Sequence, residues 1–430
     1  MRKPNYKITL AACYMSYVVQ AAVANILPVI FIPLRESYGL TYTQFGTLVL
    51  ANFAAQIAAD VLLSRAVDKY GTRPFVTSAQ YLCVAGFALF ALAPVVAPGH
   101  VFAGFLVATV VFASSGGLLE LCLSPIVDAI PSDAEDSSKA LSMLHSFYAW
   151  GQVGVILLTT LMLFAGAPWQ AAFAAWAAVP LASAYLFGRA PIVEKSAAGG
   201  TLRIRGLLRA RLFWASMLAI AFGGAAEVIV AQYASSFMQK GLGLPKIAGD
   251  ALGLCGFAAF LGAGRAAYGF LGEKLNLHKV LVGGSLLAFA AYIAMVFSPA
   301  KWLSVAAVAL CGLCVSLLWP GTLAIASKGM PLAGASMFAL LAAAGDIGAA
   351  AGPWAVGAAT DFSMGLAMSG GALSAEQLGL RAGLLLGAAF PLASLAAQIW
   401  LKRVVAGLRP QPGQEQEQEH EQEHGHANAG

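Results

Sequence analysis

The chain has 430 residues, 59% of them hydrophobic and 10% charged, with a formal net charge of +5. A water-soluble domain carries about 25% charged residues, so this chain has too few polar groups to cover a surface facing water. The mean hydropathy of +0.76 agrees: lipid is the expected solvent, and a soluble enzyme is not expected.

Twelve apolar stretches follow in chain order, at 7–34, 43–64, 75–96, 101–127, 139–165, 168–188, 211–238, 248–271, 278–299, 302–327, 332–359 and 380–401. Each is long enough for a hydrocarbon core of about 30 Å. None alternates polar and apolar residues with period two, which argues against a β-barrel. The expected fold is an all-α membrane protein of twelve transmembrane helices. Lys and Arg concentrate on alternate connections, as in Arg65, Lys69 and Arg73 after the second stretch and Arg203, Arg205 and Arg209 after the sixth. The other connections hold only Arg35, Lys240, Lys246, Lys301 and Arg381. This bias places both termini in the cytoplasm of a plasma membrane, in bacteria the inner membrane. It also accounts for the net charge without a nucleic-acid partner.

The basic start runs into the first stretch without a small-residue cleavage site, so that stretch is expected to stay. All six cysteines fall in apolar stretches. Cys311 and Cys314 have CxxC spacing, but they share one helix and have no second ligand pair, so packing is expected there and no metal. The Gly- and Arg-rich segment 189–210 divides a first six-helix bundle, 1–188, from a second, 211–409. The tail 410–430 is low in complexity and is expected to be disordered, with His420, His424 and His426 solvated.

The halves repeat one another. GLLELCLSP at 117–125 matches GLCVSLLWP at 312–320, and SMLHSFYAWGQVG at 142–154 matches SMFALLAAAGDIG at 336–348. The loop SRAVDKYGTRP at 64–74 matches GFLGEKLNLHK at 269–279. The order is right each time: fourth stretch with tenth, fifth with eleventh, and the second–third loop with the eighth–ninth. Parallel six-helix repeats are one way in which transporters build alternating access around a midplane site.

DKYGTRP, Asp68 to Pro74, resembles the loop signature of the major facilitator superfamily, with Ser64 in the usual leading glycine position. Within it, GGLLELCLSP followed by ALSMLHSFYAWGQ is similar to the fucose permease branch, and so are GGAAEVIVAQYASSFM and GDIGAAAGPWAVG. That resemblance implies secondary active transport of a small polar solute, a sugar, by proton symport, in a monomer without cofactors. An exporter of the same fold, a drug or metabolite antiporter, is the alternative. It also carries the branch's embedded coupling glutamate onto Glu120. The branch has a carboxylate in the first span, where this chain has Asn25.

An ionisable group in hydrocarbon is costly and marks a pathway or a buried pair. Asp60, Glu120, Glu227, Arg265 and Asp346 qualify, with His145 as a titratable neighbour. Glu120 and His145 lie equidistant from the 128–138 loop, which predicts similar depth in an antiparallel hairpin. Glu120, in a dry cavity, is then expected to carry the proton, with His145 tuning it. Glu227 and Arg265 are equidistant from the 240–250 loop and are read as a structural or gating pair more than as substrate contacts. Asp346 is read first as a hydrogen-bonding group to a neighbouring span, and Asp60 as a member of the inner-gate charge network. Asp68, Lys69, Gly71 and Arg73 form the expected inner gate. Asn25, Tyr148, Gln152, Gln232, Tyr233 and Trp319 form the expected substrate site, since aromatic faces and amides suit a polyol. No Walker A sequence, catalytic triad or metal cluster is recognisable, so neither an ATP-driven pump nor a membrane enzyme is expected.

Overall fold

The computed structural model describes residues 5–130, 134–193, 204–271, 276–330, 334–366 and 373–407. The linker at 194–203 and the tail from 408 onward lie outside them. Twelve spans cross in sequence: Tyr6–Tyr38, Tyr42–Tyr70, Thr72–Val96, Val101–Asp128, Ala134–Phe164 and Trp169–Arg189, then Arg211–Gly241, Lys246–Tyr268, Leu277–Phe297, Lys301–Gly329, Gly334–Gly365 and Ala375–Ala406. They are spans 1 to 12 in that order. Among the described residues, eleven are long and apolar enough to cross a membrane by composition alone, and span 11, with 32 residues, is the twelfth. Several helices outrun their apolar stretches, span 12 most clearly. Side-chain caps account for this at the ends: Ser374 and Gln377 close a capping box before span 12, and Thr41 and Gln44 do the same before span 2.

Spans 1 to 6 pack among themselves, as do spans 7 to 12, and the two groups meet where span 2 lies on 11, span 5 on 8 and span 1 on 7. Aromatic side chains fill the first group. Phe90 stacks on Phe105 at 4.4 Å and on Phe173 at 4.7 Å, with Trp169 edge-on. Twelve crossings put the start of span 1 and the end of span 12 on one face, termed the terminal face; the opposite one is the far face.

The far face is closed. Asp361, near the end of span 11, accepts hydrogen bonds from the backbone N–H groups of Tyr42 at 3.0 Å and Thr43 at 2.6 Å. These are the first two residues of span 2, whose amides have no partner in their own helix. Thr41 serves the Gln44 amide, so the helix start is satisfied partly by its own cap and partly by the other group of spans. Beside it Arg35 pairs with Glu376 at 3.1 Å, lies 4.7 Å over the Tyr42 ring, and leaves the Tyr42 hydroxyl to donate to Glu376. Thr160 of span 5 donates to Asp250 of span 8 at 2.8 Å, and Lys240 pairs with Glu36. Beneath these contacts Phe31, Tyr42, Phe45 and Tyr233 form a buried plug. Gly357 lets spans 2 and 11 approach this closely, since a Cβ there would sit 2.3 Å from the Tyr42 carbonyl oxygen.

The terminal side differs. Arg73 donates to the carbonyls of Phe187 and Ala190, both in its own group of spans, and Lys69 lies over the ring of its neighbour Tyr70. Gly71 ends span 2 at φ +81°, a turn conformation that suits glycine. The Asp68 side chain lies outside the described residues.

Candidate functional site

Span 10 is broken. Its helix stops at Val315 and restarts at Leu318, ahead of Pro320. Proline has no N–H, so the carbonyl four residues earlier, that of Ser316, loses its helical partner. Arg265 of span 8 takes that place, donating through Nε at 3.1 Å, while its Nη2 reaches both carboxylate oxygens of Glu227 at 3.1 Å. The sequence-derived pair therefore meets in space, anchored by a proline-freed carbonyl that was not anticipated. Removing Glu227 alone should leave a poorly compensated cation. Breaking a buried pair costs ~3–5 kcal/mol, and partial hydration lowers that; the Arg265 side chain is 31% exposed. Glu227→Gln is expected to lower the thermal midpoint of unfolding, and Glu227→Gln with Arg265→Gln to recover most of the loss. An unchanged midpoint in the single variant would exclude a structural role for the pair.

Above this pair, toward the far face, lies a small pocket. Asn25, Phe53, Tyr148, Gln152, Glu227, Gln232 and Phe257 line it. Spans 2, 5 and 8 thus contribute alongside spans 1 and 7. Asn25 is its hub: it donates to the Ala21 carbonyl at 3.0 Å and to the Tyr148 hydroxyl at 3.3 Å, and accepts from Gln152 at 3.1 Å. Gln232 crosses between the groups to the Ala24 carbonyl at 3.1 Å. Two expected site residues sit elsewhere. Tyr233 is fully buried in the far-face plug and donates to the Pro353 carbonyl at 2.9 Å. Trp319 is half-buried, with its ring against Gly224 and Gly345.

Toward the terminal face Asn52, Gln56 and Asp60 recur every four residues on span 2, which puts them on one side of that helix. Gln20 donates to Gln56 at 2.8 Å and Gln56 to Asn52 at 2.6 Å. Gly117 of span 4 packs against Gln56 and Ala59, which brings Glu120, a turn further along, to the level of Asp60. The charges of Asp60 and Glu120 act on one another, and Asp346, from span 11, acts on both. Tyr17 of span 1 also feels the charge of Glu120.

Three expectations change here. The Glu120 side chain is exposed rather than enclosed. Asp346 is 8% exposed, yet among the described contacts it has no hydrogen bond to a neighbouring span; the charges it feels are those of Glu120 and Asp60. Asp60 belongs to that cluster too, rather than to the inner loop. The His145 side chain lies outside the described residues.

A small polar pocket between two groups of six membrane spans, with further carboxylates at Asp60, Glu120 and Asp346 and polar contacts joining the groups at one face, fits a transporter-type membrane protein. The sequence profile of the Major Facilitator Superfamily matches residues 13–353, and the chain belongs to that family. No curated protein matches it significantly. Among solved structures, a bacterial homolog to the human lysosomal transporter Spinster, inward-facing and occupied, is 17% identical, with 96% of this chain and 100% of that one covered and a TM-score of 0.78. The same homolog in its inward-facing, unoccupied form is 18% identical, with the same coverage and a TM-score of 0.77. The E. coli fucose:proton symporter FucP is 15% identical, with 92% and 99% covered and a TM-score of 0.61. These likenesses establish the fold. They do not single out the fucose permease branch.

Proposed function

We propose that the chain is a proton-coupled secondary transporter of a small polar solute, working by alternating access, with Glu120 as the proton carrier. The observation that carries this is an exposed carboxylate, Glu120, whose charge is felt by Asp60 in its own group of spans and by Asp346 in the other. A carboxylate so placed takes its proton from the open face and feels the opposite group close around it. With the terminal face read as cytoplasmic from the Lys and Arg bias, the joined far face corresponds to an inward-facing state. The far-face contacts are then the gate that must part for the outward-open state. Asp68, Lys69 and Arg73 would engage across the terminal face at that point.

The resemblance in sequence favours symport of a sugar. The clustering of Asp60, Glu120 and Asp346 favours a second reading, in which proton and solute share carboxylates and exchange for one another. The two differ in the sign of a pH signal. Solute added outside right-side-out vesicles should alkalinise the medium under symport and acidify it under exchange. No signal of either sign, with solute demonstrably entering, would remove the proton from the account.

A further inference from the structure

Buried acceptors around the cavity lack donors. Gln152 Oε1 and Gln232 Oε1 belong to residues lining the pocket, and Gln20 Oε1 and Asp60 Oδ1 lie nearer the terminal face. The amide orientations are forced, because each chain of bonds ends on a backbone carbonyl, which only accepts. Gln232 Nε2 donates to Ala24 O. Gln152 Nε2 donates to Asn25 Oδ1, and Asn25 Nδ2 to Ala21 O. Gln20 leads through Gln56 and Asn52 to Val23 O. Turning any one of these amides would set oxygen against oxygen. Gln152 and Gln232 are 2% and 3% exposed, so their free oxygens carry a real desolvation penalty unless a donor arrives.

Charge is unbalanced in the same direction. Arg265, the described cation at this depth, is taken up by Glu227 and the Ser316 carbonyl. Asp346 is buried without a hydrogen bond or ion pair among the described residues, and the charges around it are those of Glu120 and Asp60. A buried carboxylate in that position needs either a proton or a cation. Free acceptors and uncompensated carboxylates have one common complement: positive charge carried on N–H groups. The Trp319 ring, seated on Gly345 next to Asp346, adds a face of the kind that attracts cations.

We propose that the transported solute is a small organic amine bearing several N–H or O–H donors, with Asp346 as its charge partner and the free oxygens of Gln152 and Gln232 as acceptors. The proposal rests on the transport reading. A neutral sugar would leave Asp346 to be compensated by a proton alone, and an anion would gain nothing from it.

The test uses the purified full chain and solutes matched in skeleton but not in charge: ethanolamine, putrescine and glucosamine; ethylene glycol and glucose; glycolate and glucuronate. Each is assayed for a shift in thermal midpoint in detergent, which reports binding without transport, and for counterflow in proteoliposomes. At least one amine is expected to raise the midpoint and to exchange, while its neutral and anionic counterparts do neither. Asp346→Asn should weaken the apparent affinity for that amine about tenfold or more, with an unliganded midpoint equal to or above that of the wild type. Wild-type behaviour of the variant toward the amine would remove Asp346 as the partner. Should that variant fail to fold, the comparison of solutes on the wild type still decides the class. Exchange of a neutral or anionic solute without any amine would overturn the inference and leave transport standing. No exchange by any solute, from a folded and correctly inserted protein, would overturn both.

Discussion

Glu120→Gln is expected to abolish accumulation driven by a pH gradient and to spare exchange of labelled for unlabelled solute. A gradient of one pH unit supplies about 1.4 kcal/mol per proton, so a one-proton carrier can reach about tenfold accumulation. The variant should only equilibrate. Glutamine keeps the shape of a protonated glutamate and cannot release the proton, so the loaded carrier still reorients in both directions. The exposed Glu120 side chain is within reach of a proton donor in this state. Paired counterflow and gradient-driven uptake in proteoliposomes separate the two activities. Full accumulation by the variant would make Glu120 structural, with Asp346 next in line, since it is a buried carboxylate of the other group of spans that feels the charge of Glu120.

Asp361→Ala should release the far face. Its carboxylate accepts two backbone bonds at the start of span 2, where the helix dipole also favours negative charge. Bonds to a charged group contribute about 1.5–3 kcal/mol each, and water replaces part of that on opening. A net bias of about 3 kcal/mol would shift the balance between states on the order of a hundredfold toward the outward-open form. Asp361→Asn keeps an acceptor but not the charge and should shift it less. Spin labels at His100 and Lys301, both exposed at far-face starts of spans 4 and 10, report the separation of the groups. The distance distribution should lengthen in Asp361→Ala. A distribution identical to that of the parent would show that the plug of Phe31, Tyr42, Phe45 and Tyr233 holds the face without the carboxylate.

The twelve spans were legible because lipid demands about twenty apolar residues and nothing subtler. The Glu227–Arg265 pair was legible for a related reason: an antiparallel hairpin fixes depth by counting from its loop. Depth alone did not locate the partners of Asp346, since they come from the other group of spans and no local periodicity encodes that contact. Tyr233 was assigned to the solute site because an aromatic face suits a polyol, but successive helical residues point about 100° apart, and next to Gln232 this one faces the plug. The far-face gate was missed altogether. Arg35, Asp361 and Glu376 sit at span ends, where charges look like ordinary topology signals. The fourfold spacing of Asn52, Gln56 and Asp60 was a usable signal, because three polar residues on one side of an apolar helix need an explanation. The freed Ser316 carbonyl was likewise readable from Pro320, but its donor was not.

The central claim is that the two groups of spans rock about the cavity, opening each face in turn. Glu36 and Lys240 meet across the far face, so cysteines at both positions can be joined by a short, cleavable bifunctional reagent. Five of the native cysteines are buried and Cys314 is partly so; a control without the introduced pair accounts for them. Uptake of a solute carried by the unlinked protein is then measured before linking, after linking and after cleavage. The account predicts that linking stops transport and that cleavage restores it. Undiminished transport through the linked protein would contradict it, because a far face held shut could not then be a required gate.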